Sequence, residues 1–275
     1  MHLVDFHTHI LPKADHGSRS LEESLCQIEL MRENGIEQVV ATPHFYAHAE
    51  TLSAFQERID RSYRELTDAM LKNGKESPRI YLGAEILLFA GLENLEGLDE
   101  LAIKGTKTLL LELPYTEIGV DIFNTVQRII KKGYRVVLAH ADRYHKDDID
   151  ALIGIGAKIQ LNADAFKTVF IMGSCKKWLK NGAVVALGSD IHGENLKAIK
   201  CFLNAEKKLK KYFEEIQKAT KIICQSNNCK LLYAKTALFA YKAVSFVFRH
   251  RAFVNTQYTP WLLSCHQVSA FHSQQ

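Results

Sequence analysis

Absences narrow this 275-residue chain before any motif does. Its six cysteines (Cys26, Cys175, Cys201, Cys224, Cys229 and Cys265) include no CxxC pair and are too sparse for a disulfide scaffold, so reduced, packed thiols are expected rather than a zinc module. No acidic residue follows Glu215, whereas Lys218, Lys221, Lys230, Lys235, Lys242, Arg249 and Arg251 lie beyond it. Those seven carry the excess behind the formal charge of +4: residues 1–215 hold 28 basic residues against 31 acidic ones, a net of about −3. Such a body is a poor electrostatic partner for nucleic acid. The opening residues lack a basic region, a long apolar core and a small-residue cleavage site, so a cytoplasmic protein is expected. Near the other end, Lys235 and Lys242 interrupt an apolar stretch that a membrane span would need unbroken for about 20 residues. Residues 235–275 are therefore expected to be an atypical, poorly ordered apolar and basic extension, with an interfacial amphipathic segment as the rival.

What is present suffices for one catalytic domain. A hydrophobic content of 47% over this length supports a sizeable core. Short apolar runs at 3–6, 38–42, 79–83, 108–111, 135–139, 158–161 and 183–187 read as buried strands. Helical patterns at 21–34, 52–72, 120–132, 146–155 and 165–180 separate them, with Ser20 and Glu23 as a capping box and Gly35 as a stop. Alternation of this kind implies a parallel sheet, and seven strands ringed by helices predict an α/β fold, a distorted seven-stranded TIM-like (β/α) barrel. The lysine-rich run 207–213 reads as a solvated helix face, and the tyrosines and phenylalanines of the body read as core.

Metal-ligating residue types recur at the ends of these runs. DFHTH ends in His9, ATPH in His44, LGAE in Glu85, LLLE in Glu112, VVLAH in His140 and GSDIH in His192, with His16 just beyond the first. Loops at the C-terminal ends of barrel strands open on one face, so these residues are expected to meet there. Asp5, His7 and His9 alternate along one strand and project to one side, which suits His7 and His9 for one ion and Asp5 for fixing a histidine tautomer from behind. Carboxylates at Glu85, Glu112 and Asp190 would be costly inside a barrel mouth unless paired, hydrated or bound to metal. Mixed imidazole and carboxylate ligands without thiolate suit zinc, manganese or iron, and the pattern predicts a metal-dependent hydrolase. Asn162 and Asp164 are secondary candidates for the mouth, and His48, His250, His266 and His272 are not assigned to it.

The ordered series DFHTHILPKADHGSRSLEES, VVATPHF, LGAEI, LLLELPY, VVLAHADRY and ALGSDIH resembles the motifs of the polymerase and histidinol phosphatase (PHP) superfamily. Its nearest likeness is the CpsB/YwqE-type branch of bacterial manganese-dependent tyrosine-protein phosphatases associated with capsule and exopolysaccharide synthesis. The likeness runs from the first residues to about Ala234, so a PHP-type barrel domain over 1–234 is expected. By that resemblance His7, His9, Glu85 and Asp190 hold one metal ion. Glu85, Glu112 and His140 hold a second with Glu85 bridging, and His16, His44 and His192 hold a third. Arg143 matches the family's phosphate-contacting arginine, and Arg143, Glu85 and His192 are the implied catalytic residues. Up to three divalent ions, manganese by resemblance and zinc or iron by chemistry, would activate water for direct attack on phosphorus. The implied substrate is phosphotyrosine on a protein, with a tyrosine kinase of polysaccharide assembly as partner.

Two departures stand out. Asp15-His16-Gly17 replaces the branch's usual Asp-Asp-Gly, exchanging a carboxylate for an imidazole. After His192 an Arg-Pro-Pro segment gives way to GENLKAIK, leaving Lys197 near the missing arginine, and lysine lacks the planar bidentate fork. The alternatives are a small-molecule phosphomonoesterase of histidinol-phosphatase type and a non-catalytic, metal-binding regulatory barrel.

Overall fold

Nine strands and seven α-helices follow one another in the computed structural model, which describes residues 3–225 apart from 75, 117, 167–172, 194 and 196. The strands are β1 (Leu3–Thr8), β2 (Ile36–Ala41), β3 (His44–Phe45), β4 (Arg79–Leu82), β5 (Glu85–Leu87), β6 (Thr108–Glu112), β7 (Arg135–Leu138), β8 (Lys158–Asn162) and β9 (Val184–Gly188). The helices are α1 (Leu21–Glu33), α2 (Leu52–Asn73), α3 (Val120–Lys131), α4 (Lys146–Gly154), α5 (Gly173–Lys180), α6 (Lys197–Leu209) and α7 (Lys211–Gln225). All seven expected strands are present and every strand pairing is parallel.

The single seven-stranded barrel is not formed. Among the described residues the strands divide into a sheet of order β1-β2-β4 and another of order β3-β5-β6-β7-β8-β9. The reason lies at 42–43 and 83–84, where the chain leaves one sheet and resumes in the other, β2 passing into β3 and β4 into β5. Pro43 has no N–H for a ladder, although its carbonyl still accepts from Glu85 N–H at 3.1 Å. Across the far edge, β1 meets the segment after β9 at one parallel bridge, Thr8 to Ile191.

Helix boundaries follow local chemistry. The Ser20 side chain caps α1 by accepting from Glu23 N–H at 3.3 Å, but the Glu23 carboxylate accepts from Arg19 N–H at 2.7 Å, so half of the capping box forms. Gly35, at φ 75°, turns the chain out of the helix. The helix expected over 165–180 is instead a 3₁₀ turn at Ala163–Phe166 and then α5 from Gly173, with 167–172 outside the described residues. Leu209 and Phe213 are buried while Lys207, Lys208 and Lys210 face solvent, as the lysine-rich run predicted. No helix among the described residues is long and apolar enough to cross a membrane. The expected extension at 235–275 lies outside the described residues.

Two apolar clusters make the core. One joins the helices to the outer faces of the strands; the other, with Val4, Phe6, Val40, Leu110, Val137, Ala139 and Val185, fills the interior between them. Helix α7, which the sequence reading did not anticipate, closes the N-terminal end of that interior. Its Gln217 accepts from Val4 N–H at 2.7 Å and donates to Val4 C=O at 3.2 Å, Thr220 donates to Val185 C=O at 2.9 Å, and Ile223 and Cys224 join the cluster. With that end covered, the mouth lies at the C-terminal ends of the strands.

Close packing at the mouth requires Gly188, where an added Cβ would stand 2.5 Å from the Cβ of His7 and 2.8 Å from Gln160 Nε2. Gly188→Ala is expected to cost about 2 kcal/mol of stability by overpacking. Gly154→Ala, where a Cβ meets nothing within 4 Å, should cost none. Urea unfolding midpoints of the two variants check this contrast.

Candidate metal centre

The strand ends deliver the expected residues to one place, although not all of them terminate strands. His7 and His9 lie at and just beyond the end of β1, Glu112 ends β6, His140 follows β7, and Asp190 and His192 follow β9. His44 and Glu85 instead open β3 and β5, a correction that follows from the breaks at 42–43 and 83–84. Strands of two and three residues carry too few alternating positions to be read in advance.

Four imidazoles converge on the buried carboxylate of Glu85. His7 Nε2, His9 Nε2 and His44 Nδ1 stand 3.0, 3.2 and 3.2 Å from its Oε2, and His140 Nε2 stands 2.8 Å from its Oε1. Asp190 Oδ1 lies 3.7 Å from His7 Nε2 and 3.5 Å from His9 Nε2. Glu112 lies 3.8 Å from His44 and 3.7 Å from His140. His192 stacks on His9 at 4.1 Å, and the exposed His16 stacks on His44 and His192 at 4.6 and 4.7 Å.

Second-layer contacts fix which nitrogen of each ring faces inward. His140 N–H donates to Gln160 Oε1 at 2.6 Å, so the same oxygen, 3.2 Å from His7 Nδ1, accepts that ring's proton and leaves Nε2 toward Glu85. Asp15 Oδ2 does the same for His9 Nδ1 at 2.7 Å and accepts from His44 N–H at 3.0 Å. The role expected of Asp5 thus falls to Gln160 and Asp15. Asp5 Oδ1 accepts from Ser189 N–H at 2.9 Å, its Oδ2 has no partner, and burial pushes its carboxyl up to about 6. Gln160 alternates with Ile159 and Leu161 in β8 (KIQLN) and shares a face with Asn162, which was the available signal for the missed residue; the structure buries it fully. Neither Asn162 nor Asp164 lines the cavity: Asn162 stands behind it, donating to Asp190 at 2.9 Å, and Asp164 is exposed. His140 and Asp190 hold left-handed backbone at φ 31° and 51°, a cost of order 1–3 kcal/mol each for such residues.

The electrostatics call for a cation. Burial opposes the Glu85 anion, but His7, His140 and His9 outweigh it and hold the carboxyl well below its usual range. Burial and the Glu85 charge push Glu112 up to about 7. Burial lowers His44 to about 3, and burial with His9 lowers His192, so both rings are neutral and carry lone pairs. Buried His44 Nδ1 and His192 Nε2 lack hydrogen-bond partners. Ligand atoms of His7, His9 and Glu85, of His44, Glu85 and Glu112, and of His9, His44 and His192 fall within 4.8 Å of one another in three sets. Neutral imidazoles, crowded carboxylates and orphaned nitrogens together fit divalent cations. His44 thus clusters with Glu85 and Glu112 as well as with His192, and His16 joins none of the three sets.

Arg143 sits at the rim with 42% of its side chain exposed and donates to Asp190 Oδ2 at 2.6 Å. The mouth is a cavity of about 370 Å³, lined by Arg143, Glu85, Glu112 and His192 and by Tyr46, Leu87 and Tyr115. A larger cavity of about 890 Å³ beside α2 and β4 contains none of the expected residues. Lys197, exposed at the start of α6, does not line the mouth, and His48 is exposed as well. His250, His266 and His272 lie outside the described residues.

Known proteins share this arrangement of chain. The family model described as capsular polysaccharide synthesis, CpsB/CapC, matches residues 3–233. CapC of Staphylococcus aureus is 27% identical over 235 residues, 78% of this chain and 87% of that protein. Tyrosine-protein phosphatase CpsB of Streptococcus pneumoniae is 24% identical, over 69% of this chain and 79% of its own. Among solved structures, one from a study of YwqE from Bacillus subtilis and CpsB from Streptococcus pneumoniae, described as metal-dependent tyrosine phosphatases, superposes with a TM-score of 0.69. It is 19% identical and spans 82% of this chain and 95% of that one, a likeness of fold.

Removing an orienting partner should weaken metal binding without touching a ligand. Asp15→Asn is expected to reduce manganese affinity about 10–100-fold, as loss of such partners does elsewhere. Asp164→Asn should leave it unchanged. Calorimetric titration of metal-stripped protein with manganese reads both.

Proposed function

The chain belongs to the CpsB/CapC family of capsular polysaccharide synthesis, and from that membership we propose that it is a metal-dependent protein-tyrosine phosphatase. The observation that carries the reading is the convergence of His7, His9, His44 and His140 on buried Glu85, with Arg143 at the rim of the same mouth. Its relatives CpsB of Streptococcus agalactiae and YwqE of Bacillus subtilis are named tyrosine-protein phosphatases. The proposed substrate is phosphotyrosine on a protein, in particular a bacterial tyrosine kinase of polysaccharide assembly, and the proposed setting is the cytoplasm. Residues 1–234 are the proposed catalytic unit.

Manganese is the proposed metal. His7, His9, Glu85 and Asp190 would hold one ion, and Glu85, Glu112 and His140, joined by His44, a second. His44 and His192 with His9, next to His16, would hold a third. Bound divalent ions supply a water acidic enough to give hydroxide near neutral pH and draw charge from phosphoryl oxygens.

The chain's own residues supply position and charge. One Arg143 nitrogen is engaged by Asp190, and Asp190 is held in turn by Asn162. A guanidinium has five N–H donors, so Arg143 retains donors for the oxygens of a phosphoryl group entering the cavity. Burial opposes the charged form of Arg143, yet Asp190 raises its pKa, and the cation persists at any working pH. Phenolate, whose parent acid has a pKa of ~10, departs more readily than an alkoxide.

Manganese-loaded protein should release phosphate from phosphotyrosine peptides faster than from histidinol phosphate, and chelation should abolish it. Arg143→Lys is expected to lower kcat/KM about 10²–10³-fold with manganese content unchanged, because lysine cannot make the planar contact. His7→Ala should lose both metal and activity. Full metal loading with no turnover of phosphotyrosine peptide across manganese, zinc and iron would reject the reading.

A further inference from the structure

The catalytic mouth contains a component that neither metal binding nor phosphate binding uses. Tyr46, Leu87 and Tyr115 line it beside the charged groups. Tyr115 is 80% exposed, an apolar ring left in water at the opening. Single exposed aromatics need no explanation on an ordinary surface. Here the ring is buttressed: Tyr144 stands 6.3 Å away, is fixed by its hydroxyl donating to Leu113 C=O at 3.0 Å, and packs 5.6 Å from the His140 ring. Tyr46 lies nearly parallel to the His44 ring at 5.2 Å and 16°. Tyr46 is thus set directly against an imidazole of the candidate centre, and Tyr115 reaches one through Tyr144. Tyr115 lines the same cavity as Tyr46 and Arg143.

We propose that Tyr46 and Tyr115, with Leu87, form a slot that takes the aromatic ring of the phosphorylated side chain while Arg143 holds its phosphate. The inference rests on the phosphatase reading and sharpens it: it names the residues that favour aryl over alkyl phosphate esters. Rings already held by neighbours lose little freedom when a further ring enters, so stacking adds affinity rather than offsetting disorder. A phosphoserine side chain would reach Arg143 and leave the slot filled with water. Tyr46 and Tyr115 are specificity residues in this account, and Tyr144 is a positioning residue for Tyr115.

The test compares phenylphosphonate with methylphosphonate, neither of which can be hydrolysed, on the manganese-loaded full chain by calorimetry. Wild type is expected to bind the aryl compound about tenfold more tightly, the size of one or two aromatic contacts. Tyr115→Ala should bring the two affinities together without weakening methylphosphonate, Tyr46→Ala should do so in part, and Tyr115→Phe should keep the preference. A wild type that does not discriminate, or a preference that survives in both alanine variants, overturns the slot. Turnover of phosphotyrosine peptide is measured in parallel: discrimination without turnover keeps the slot and rejects the phosphatase reading.

Discussion

Everything at the mouth depends on one buried carboxylate. Glu85 has almost no contact with water, and an unpaired anion there would cost several kcal/mol. It is tolerated because His7 and His9, at and just beyond the end of β1, and His140 after β7 close around it at 2.8–3.2 Å. Those elements must therefore arrive in register. The constraint also explains the divergent carboxyls, since Glu85 stays ionised while Glu112, facing the same charge, rises to about 7.

The scaffold meets this constraint by closing one end of the strand bundle and straining the other. Gln217 and Thr220 on α7 seal the N-terminal side with hydrogen bonds to β1 and β9, so the apolar interior does not open to water from below. On the opposite side His140 and Asp190 adopt left-handed backbone, which Gln160 and the His7 carbonyl satisfy. Gly188 lets His7 lie directly against β9. The proposed metal site, phosphate contact and aromatic slot would all draw on the same framework, because Tyr46 and Tyr144 lean on the rings that surround Glu85.

Much of this was legible from the chain alone. The seven main strands and four of the five expected helices stand within a few residues of their predicted bounds, since apolar alternation and caps such as Ser20 are local signals. Each expected ligand falls within or beside the cluster around Glu85, His16 only by stacking on His44 and His192, because parallel strands bring the same ends of the apolar runs to one face. The short strands β3 and β5 were not legible, nor were α6 and α7. The first two have too few residues for a pattern, and across α6–α7 the lysines of 207–213 mark only a solvated helix face, while the inward Leu209, Phe213 and Gln217 follow no strand-end motif.

The sequence by itself determined which chemical groups are available and the order in which the strands deliver them: imidazole and carboxylate without thiolate, one arginine after His140, and the exchange at His16. Only the tertiary structure decided how they combine. It set Gln160 and Asp15, rather than Asp5, behind His7 and His9, drew His44 toward Glu85 and Glu112, and turned Tyr46 and Tyr115 into walls of the mouth. The division has a simple physical origin. Residue type and alternation act within a few positions, whereas ligand grouping is set by crossings between strands distant in sequence, where a shift of one residue redirects every side chain.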